Sequence, residues 1–217
     1  MSTLLSPAVP PPHARTAVAQ PAPSESSVPP LPSDVTLYAL SVEQYHEMIR
    51  HGILRSGDRV ELLEGLLVQK MTKNPPHVLS AKLTADALRG RVPVGYHVAM
   101  ENPFTTSTSE PEPDVAVVRG TPRDYSDRHP SPGEMALIVE VADSSVGRDR
   151  GIKRRLYARA GVPAYWIVVL PERVVDVYAD PSDPAYSTVR RFAASESVPV
   201  VIDGVEVGTI AVADILP

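Results

Sequence analysis

The sequence predicts a mixed α/β (α+β) domain in which one mixed β-sheet is flanked by helices. Three observations lead to this fold class: amphipathic segments typical of helices, short apolar runs typical of strands, and their order along the chain. That order is helix, hairpin, helix, strands, helix and strands. One sheet covered by helices is the simplest layering that buries all of these apolar faces.

The first half of the chain predicts a helix, a hairpin and a second helix. Ser41 is a typical N-cap residue for a helix that ends at Gly52. Apolar runs on both sides of Glu64-Gly65 predict a hairpin. The second helix is predicted from Pro76 to Gly90, because leucine and valine residues form an apolar stripe at helical spacing.

The second half predicts five strands around a third helix. The predicted strands are Tyr96 to Met100, Pro113 to Val118, Met135 to Val141, Tyr165 to Leu170 and Val174 to Tyr178. The helix is predicted from Asp149 to Ala160, since Gly161 suits the position after a helix and Pro163 prevents continuation. From Ser187 onward, we expect edge strands and a short closing segment.

The first 33 residues differ in composition from the rest of the chain. They contain nine of the 24 prolines and only two charged residues, Arg15 and Glu25. Such a segment cannot bury enough apolar surface to offset the entropy lost on ordering, which predicts a disordered, partly polyproline-II tail over residues 1–33. Residues 34–217 are predicted to form one domain, a length that buries about 70% of its unfolded surface.

Composition and motifs exclude several classes of protein. The chain has no cysteine, which excludes a disulfide scaffold, an iron–sulfur protein, thiol catalysis and cysteine-rich zinc sites. It lacks the G-x-S-x-G, P-loop and G-x-G-x-x-G motifs, a membrane-length apolar run and a signal-peptide pattern. We therefore expect a soluble, cytoplasmic protein. The net charge of −5 argues slightly against a general nucleic-acid binder, although the local distribution of charge matters more.

Acidic residues within apolar strands are the first candidates for a functional site. Glu140 interrupts the aliphatic run 136–141, and a buried lone carboxylate is costly unless it is neutralised, paired or bound to a cation. Asp114 begins the apolar run 114–118. If the two strands are neighbours, their acids supply hard oxygen ligands that suit Mg²⁺ or Mn²⁺ better than zinc. Glu61, in the strand before the hairpin turn, is a third candidate.

Each acid also has a structural explanation. A strand-end aspartate such as Asp114 is most often a turn or capping residue. Glu140 could belong to a structural ion pair, and Glu61 could be exposed on one face of a half-buried strand. No single one of these residues decides between the two interpretations.

A run of cations follows the strand that carries Glu140. Residues 148–159 contain six basic residues and only one acid, Asp149; the basic ones are Arg148, Arg150, Lys153, Arg154, Arg155 and Arg159. This arrangement suits a phosphate backbone, because acids hold a metal while adjacent cations hold the polyanion. The alternative is a solvated helix face. Lys153 could point back toward Glu140 or be an ordinary surface lysine.

Several segments together resemble the Uma-two family of restriction endonucleases, a branch of the PD-(D/E)XK nuclease superfamily. These segments are Pro113-Asp114-Val115, Ile138-Val139-Glu140-Val141, Asp143-Ser144-Ser145, Asp149-Arg150-Gly151-Ile152-Lys153 and the block 156–168. In the N-terminal half, residues 60–65 and His77 match the same family. The resemblance spans about residues 40–178, and residues 149–168 are its most specific part.

The resemblance implies a restriction-endonuclease-like fold and hydrolysis of phosphodiester bonds with a divalent metal, Mg²⁺ or Mn²⁺. By the family pattern, Asp114 and Glu140 bind the metal and Glu61 is an additional acid. The superfamily's lysine normally lies two residues after the second acid, where this chain has Ala142. The resemblance therefore points to Lys153 as the lysine that completes a catalytic set with Asp114 and Glu140.

The resemblance also implies that the partner is nucleic acid, with DNA as the expected substrate. Arg148, Arg150 and Arg154 would follow the backbone and His77 would contact phosphate, although a capping or core histidine explains His77 equally well. A homodimer is expected by analogy with the superfamily. The alternative is a nuclease-derived domain that no longer cuts and serves as a binding or assembly module. Three features are compatible with this alternative: the acidic domain, Ala142 at the lysine position and the proline-rich tail.

Overall fold

The chain folds as helices and strands in the order that the sequence predicts. The structure, a computed structural model, describes residues 34–55 and 57–217. The strands are β1 (Val60–Leu63), β2 (Leu66–Gln69), β3 (Tyr96–Met100), β4 (Val115–Arg119), β5 (Met135–Ala142), β6 (Ala164–Val169), β7 (Val174–Ser182), β8 (Ala185–Ala193), β9 (Ser197–Ile202) and β10 (Val205–Ala211). The helices are α1 (Val42–Arg50), α2 (Pro75–Arg89), α3 (Val146–Arg148), a π-helical turn (Asp149–Lys153) and α4 (Arg154–Arg159), with short 3₁₀ turns at Pro122–Tyr125, Pro132–Glu134 and Val212–Ile215.

Six of these strands form the central sheet. Its strand order is β3-β4-β5-β6-β7-β8, and only the pair β5 and β6 is parallel. Strands β1 and β2 form one antiparallel hairpin outside this sheet, and β9 and β10 form another. The predicted mixed sheet with flanking helices is therefore confirmed.

Alternating side chains along the strands divide the core into two layers. Val117 and Val139 belong to the layer that contains the buried residues of α2 and of the β9–β10 hairpin. Val118 and Ile138, on the opposite face, belong to the layer that contains Phe104 and the buried residues of α4. The second face carries the candidate site, because its acids follow the same alternation.

Local capping signals position the first two helices. The Ser41 side chain accepts a hydrogen bond from the backbone N–H of Gln44, and the Gln44 side chain accepts one from the backbone N–H of Ser41, so α1 begins with a capping box. Asn74 caps α2 by accepting from the backbone N–H of His77 at 3.0 Å. Prolines 75 and 76 follow this cap, where their missing N–H groups cost nothing. The start of α2 is therefore fixed beside the sheet, and His77 with it.

The third helical segment differs from the single helix predicted from Asp149. It begins at Val146 and passes through the π-helical turn before α4 continues to Arg159. Such wider turns are rare and are frequently found at functional sites. Here the turn buries two charged side chains at once, Asp149 and Lys153, on the side that faces the sheet.

The C-terminal strands are longer than predicted. Strand β7 continues to Ser182, and β8 begins at Ala185, before Ser187. The polar, proline-containing sequence at this turn lacks the apolar alternation by which strands are recognised. β8 is an edge strand of the central sheet, as expected, and Val212–Ile215 forms a short closing turn.

Two further expectations concern the ends and the surroundings of the domain. The described compact unit spans Tyr38–Pro217. The proline-rich segment 1–33 lies outside the described residues, so the disordered tail and the domain boundary at residue 34 stay predictions. None of the helices in the described part of the chain combines the length and the apolar character needed to cross a bilayer.

Candidate active site

The pairing of β4 with β5 brings the two predicted metal-binding acids together. Ala116 lies opposite Ile138 in this antiparallel pair, and continuing the register toward the end of the strand places Asp114 opposite Glu140. The backbone N–H of Val141 donates a hydrogen bond of 2.9 Å to Asp114 Oδ2. Both acids are buried. The interpretation of Asp114 as a simple turn residue is therefore wrong.

The acids line a small polar cavity of about 50 Å³. Because one water needs about 10–15 Å³ on this measure, the cavity has room for a few water-sized groups. Its ionisable lining consists of Glu61, Glu112, Asp114, Glu140, Asp143, Asp149, Lys70, Lys73, Lys153, Arg148 and His77. Six of these are carboxylates and four are lysine or arginine, so the lining carries more negative than positive charge.

Glu140 is held through one of its two oxygens. Lys153 Nζ lies 2.8 Å from Oε1, and the hydroxyl of Tyr157 donates to the same oxygen at 2.6 Å. Both partners are buried. Within the described part of the chain, Oε2 accepts no hydrogen bond, which leaves it available as a ligand.

The protonation of Glu140 departs strongly from that of an ordinary carboxyl group. Burial raises the pKa of Glu140 to about 8, since it disfavours the charged form. Lys153 opposes this shift, while the carboxylates of Asp114, Asp149 and Glu61 raise the pKa of Glu140 further. A bound divalent cation would offset this cost of placing a charged carboxylate among other acids.

Asp114 is in the opposite state because cations and hydrogen-bond donors surround it. Burial alone would raise the pKa of Asp114, but His77, Lys73 and the Val141 N–H lower it well below its usual range. Lys73 Nζ lies 2.9 Å from Oδ1, and His77 Nε2 lies 3.2 Å from Oδ2. Asp114 is therefore an anion at neutral pH.

Glu61 reaches the site from the β1–β2 hairpin. Its Oε2 accepts a hydrogen bond of 3.2 Å from the backbone of Glu112, and its Oε1 lies 3.5 Å from Lys153 Nζ. The hairpin is fixed by the backbone N–H of Glu110, which donates to the Leu62 carbonyl at 2.8 Å. Glu61 is only 2% exposed, so the alternative of an exposed strand residue is wrong.

Lys153 is buried among acids and is not a surface lysine. Burial alone would lower its pKa, but Glu140, Glu61 and Asp149 outweigh burial and raise the pKa of Lys153. The π-helical turn that carries Lys153 is held in place by Tyr165, whose hydroxyl donates to the Asp149 carbonyl at 3.1 Å. Lys153 therefore remains a buried cation beside Glu140.

The three arginines of the predicted nucleic-acid-binding set lie in different surroundings. Arg148 lines the cavity, where its Nη1 donates to the Gln69 carbonyl at 3.0 Å. Arg150 lies outside the cavity lining and pairs with Glu172 and Asp176. The guanidinium of Arg154 lies 5.7 Å from the ring centroid of Tyr178, also away from the cavity.

His77 lies at the start of α2 with its ring in the cavity, and its contact with phosphate stays a prediction. Its backbone takes part in the cap of α2, while its ring lines the cavity and contacts Asp114. Its buried Nδ1 has no hydrogen-bond partner among the described residues. Such an atom is costly unless something bonds to it, which is consistent with a ligand or water in the cavity.

Lys73 and Tyr157 are among the residues of the site that were not singled out from the sequence. Lys73 lies in the loop before α2, where no periodic pattern indicates which way a side chain points. Tyr157 lies within the helix predicted from Asp149 to Ala160, and helical spacing does not reveal that its hydroxyl faces a carboxylate. The polar cluster Lys73-Asn74 before a proline-initiated helix was the one signal available for Lys73.

The donor set fits a hard divalent cation. Among residues 34–55 and 57–217, no three carboxylate or imidazole groups already stand as a metal-binding cluster. Lys73 and Lys153 lie against the oxygens of Asp114 and Glu140. The oxygen ligands, the free Oε2 of Glu140 and the excess of negative charge suit Mg²⁺ or Mn²⁺.

Comparison with known proteins finds a matching family model and a solved structure of similar fold. Residues 42–213 match the model of the Uma2 family, which is described as "Putative restriction endonuclease". The chain is also similar to the crystal structure of a "putative nuclease belonging to DUF820" from Anabaena variabilis, with a TM-score of 0.61 and 16% sequence identity. That likeness covers 81% of this chain and 97% of the other, and it shows a common fold. No curated protein matches the chain.

Proposed function

Because the chain belongs to the Uma2 family, we propose that it is a metal-dependent endonuclease that hydrolyses phosphodiester bonds in DNA. One observation carries the proposal: Asp114, Glu140, Glu61 and Lys153, which are far apart in the sequence, line one cavity. Carboxylates with a buried lysine beside them are the groups that phosphodiester hydrolysis with a metal needs.

The three acids would hold the metal in this proposal. Asp114 and Glu140 would be the ligands of Mg²⁺ or Mn²⁺, with Oε2 of Glu140 available once its proton is released, and Glu61 would contribute directly or through water. When bound, the cation lowers the pKa of a water ligand and neutralises charge on the scissile phosphate. Tyr157 and Lys153 keep the carboxylate of Glu140 in one orientation through Oε1. The ammonium of Lys153 orients the attacking water or stabilises the negative charge that develops on the phosphate.

Arg148 is the arginine best placed to bind the substrate backbone. It lines the cavity, and the described residues place no carboxylate within ion-pair distance of it. Its charge is therefore available for a phosphate, whereas the charge of Arg150 is already compensated by Glu172 and Asp176. His77 Nδ1 is a second candidate for a phosphate contact. The homodimer stays a prediction by analogy.

Cleavage assays with matched variants test the proposal. The full chain is incubated with plasmid DNA, single-stranded DNA and RNA in Mg²⁺ or Mn²⁺, and metal binding is measured by calorimetry. We expect cleavage of DNA by the wild type and a loss of about 10³-fold or more in Asp114→Asn. Glu172→Gln, which removes an ion-paired acid outside the cavity, should cut normally. A wild-type chain that binds no metal and cuts none of the substrates would overturn the proposal.

A binding module without catalysis is the second candidate, and specific observations favour it. The position of the superfamily's usual lysine is the buried Ala142, and lysines occupy oxygens of both principal acids. Calorimetry separates the two candidates, since a domain that no longer cleaves DNA is not expected to bind Mn²⁺. A chain that binds DNA without Mn²⁺ affinity would identify the module.

A further inference from the structure

We infer that Lys73 is a displaceable counter-ion of the candidate metal site. It neutralises Asp114 when no metal is bound, and it moves to the substrate phosphate when Asp114 binds the cation. This inference rests on the proposed function and adds a residue that regulates metal binding at the same site.

Both oxygens of Asp114 are engaged in the structure. Lys73 Nζ lies 2.9 Å from Oδ1, while Oδ2 is shared by the Val141 N–H at 2.9 Å and His77 Nε2 at 3.2 Å. The Val141 bond belongs to the strand backbone and cannot leave. Oδ1 is therefore the oxygen that a metal can take, and Lys73 is the group that has to give it up.

Lys73 has a second partner that makes displacement inexpensive. Its Nζ also lies 3.2 Å from Glu101 Oε1, and Glu101 is half-exposed. The side chain of Lys73 is 27% exposed, whereas that of Lys153 is 4% exposed. Because a partly hydrated ammonium loses less when an ion pair breaks than a buried one does, Lys73 can move while Lys153 stays.

The backbone on both sides of Lys73 is held in place. Asn74 caps α2 and its side chain donates to Asp143 at 2.6 Å, and the Met71 carbonyl accepts from Arg59 at 2.7 Å. Movement is therefore confined to the long, flexible side chain of Lys73. Its ammonium remains at the cavity after displacement, as a compact charge with three donors that suits a phosphate oxygen.

Charge balance gives the direction of the effect. A lysine and a divalent cation beside the same carboxylate repel each other, so metal binding includes the cost of displacing the ammonium. Removing the charge of Lys73 should therefore tighten metal binding and slow cleavage. A residue that only supported the fold would not produce opposite changes in these two quantities.

The test measures Mn²⁺ affinity and DNA cleavage on the same full-length variants. For Lys73→Met we expect Mn²⁺ affinity to rise on the order of tenfold, since the lost ion pair is partly exposed. Cleavage at saturating Mn²⁺ should fall on the order of tenfold, as for other charge-assisted contacts to a developing anion. Unchanged or weaker Mn²⁺ affinity would overturn the inference, and unchanged cleavage would overturn the transfer to phosphate.

Three further variants keep the result interpretable. Lys73→Arg keeps the charge and should keep the low Mn²⁺ affinity. Lys70→Met removes a lysine of similar exposure that pairs with Glu112, and its effect should be clearly smaller. Glu101→Gln removes the second partner of Lys73 and should weaken Mn²⁺ binding in the otherwise wild-type chain. If Glu101 acts through Lys73, the same substitution should have little effect in the Lys73→Met variant.

Asp114→Asn separates this inference from the proposed function. If Asp114→Asn keeps wild-type Mn²⁺ affinity, the proposed metal site itself is wrong. If Asp114→Asn loses that affinity and Lys73→Met does not gain it, the metal site stands and only the role of Lys73 is refuted.

Discussion

Two buried acids lie in one row across the central sheet, and their surroundings differ. Glu140 lies opposite Ile167 in the pair β5–β6, and Ile167 lies opposite Asp176 in the pair β6–β7. Both acids are on the face covered by the third helical segment. Both also meet a cation from the same π-helical turn, Lys153 for Glu140 and Arg150 for Asp176.

The two acids differ in how completely they are paired. Asp176 Oδ2 accepts from Arg150 Nε at 2.9 Å, and Oδ1 accepts from Arg191 Nε at 2.7 Å. Both arginines also contact Glu172, so the cluster has equal numbers of positive and negative groups. Glu140 instead has one held oxygen and one free oxygen, with three other acids nearby.

The comparison separates a structural ion cluster from a chemically active one. Arginine forks satisfy a carboxylate on both oxygens and leave nothing for a ligand. A lysine is a point charge, so it leaves part of the carboxylate open. Burial, with a further contribution from the surrounding acids, raises the pKa of Glu140 to about 8. Incomplete neutralisation at the end of a strand is what marks the candidate active site.

The largest effect that tests this comparison is the loss of cleavage in Glu140→Gln. We expect cleavage to fall by about 10³-fold or more, since an oxygen ligand of the catalytic metal is replaced by a neutral amide. The melting temperature should not fall below that of the wild type, because glutamine keeps an oxygen for Lys153 and Tyr157 and carries no charge that has to be buried. DNA cleavage and thermal unfolding of the same preparation measure both. A Glu140→Gln variant that is destabilised but still cleaves DNA would show that Glu140 is a structural acid and not a catalytic one.

Asp176→Asn should show the opposite pattern. We expect the free energy of unfolding to fall by about 3 kcal/mol, because Arg150 and Arg191 lose a buried partner. Cleavage per folded molecule should remain that of the wild type. Chemical denaturation measures the stability, and a cleavage assay at denaturant concentrations below the unfolding transition measures the activity. Loss of activity without loss of stability would place Asp176 in the active site.

Most of the sheet could be predicted from the sequence because its strands are short apolar runs between clear turn residues. The acids could be predicted for the same reason, since Glu140 interrupts such a run and Asp114 begins another. The resemblance to the family placed Lys153 in the set. These residues are identified by a pattern in the chain itself, which is why they were found before the fold was known.

The remaining residues of the site depend on contacts between distant segments. Lys73 becomes relevant only because α2 and its preceding loop pack beside β4. Similar roles were predicted for the three arginines because their different partners, on β7 and at the end of β2, are set by tertiary structure. A local pattern carries no information on which carboxylate a flexible arginine reaches.

The raised pKa of Glu140 predicts a pH dependence of stability. Its pKa is about 8 in the folded chain and near 4.5 when unfolded, so only the folded chain holds this proton between those values. The stability that this proton contributes is present at low pH and is lost as pH rises toward 8. The melting temperature of the metal-free wild type should therefore fall over this pH window relative to that of Glu140→Gln, by about 3 °C for each kcal/mol of stability lost.

Thermal unfolding from pH 5 to pH 9 in a chelator measures this difference. Glu172→Gln is the control, because it removes an ion-paired acid outside the cavity. Parallel curves for the wild type and Glu140→Gln would show that Glu140 is ionised like an ordinary carboxyl group. In that case the contrast with Asp176 would rest on the hydrogen bonds alone.

The smallest effect concerns DNA binding by the arginines. In the Asp114→Asn background, which should not cut, Arg148→Gln should weaken binding and lower the slope of log affinity against log salt by about 1. Arg150→Gln should leave the slope unchanged and reduce the melting temperature, since its guanidinium already pairs with Glu172 and Asp176. Fluorescence anisotropy on a DNA duplex at several salt concentrations compares them. A cation that is already paired with carboxylates in the free protein releases counterions from DNA only if those ion pairs break. Equal slopes for both variants would therefore mean that Arg150 breaks its ion pairs and contacts the DNA.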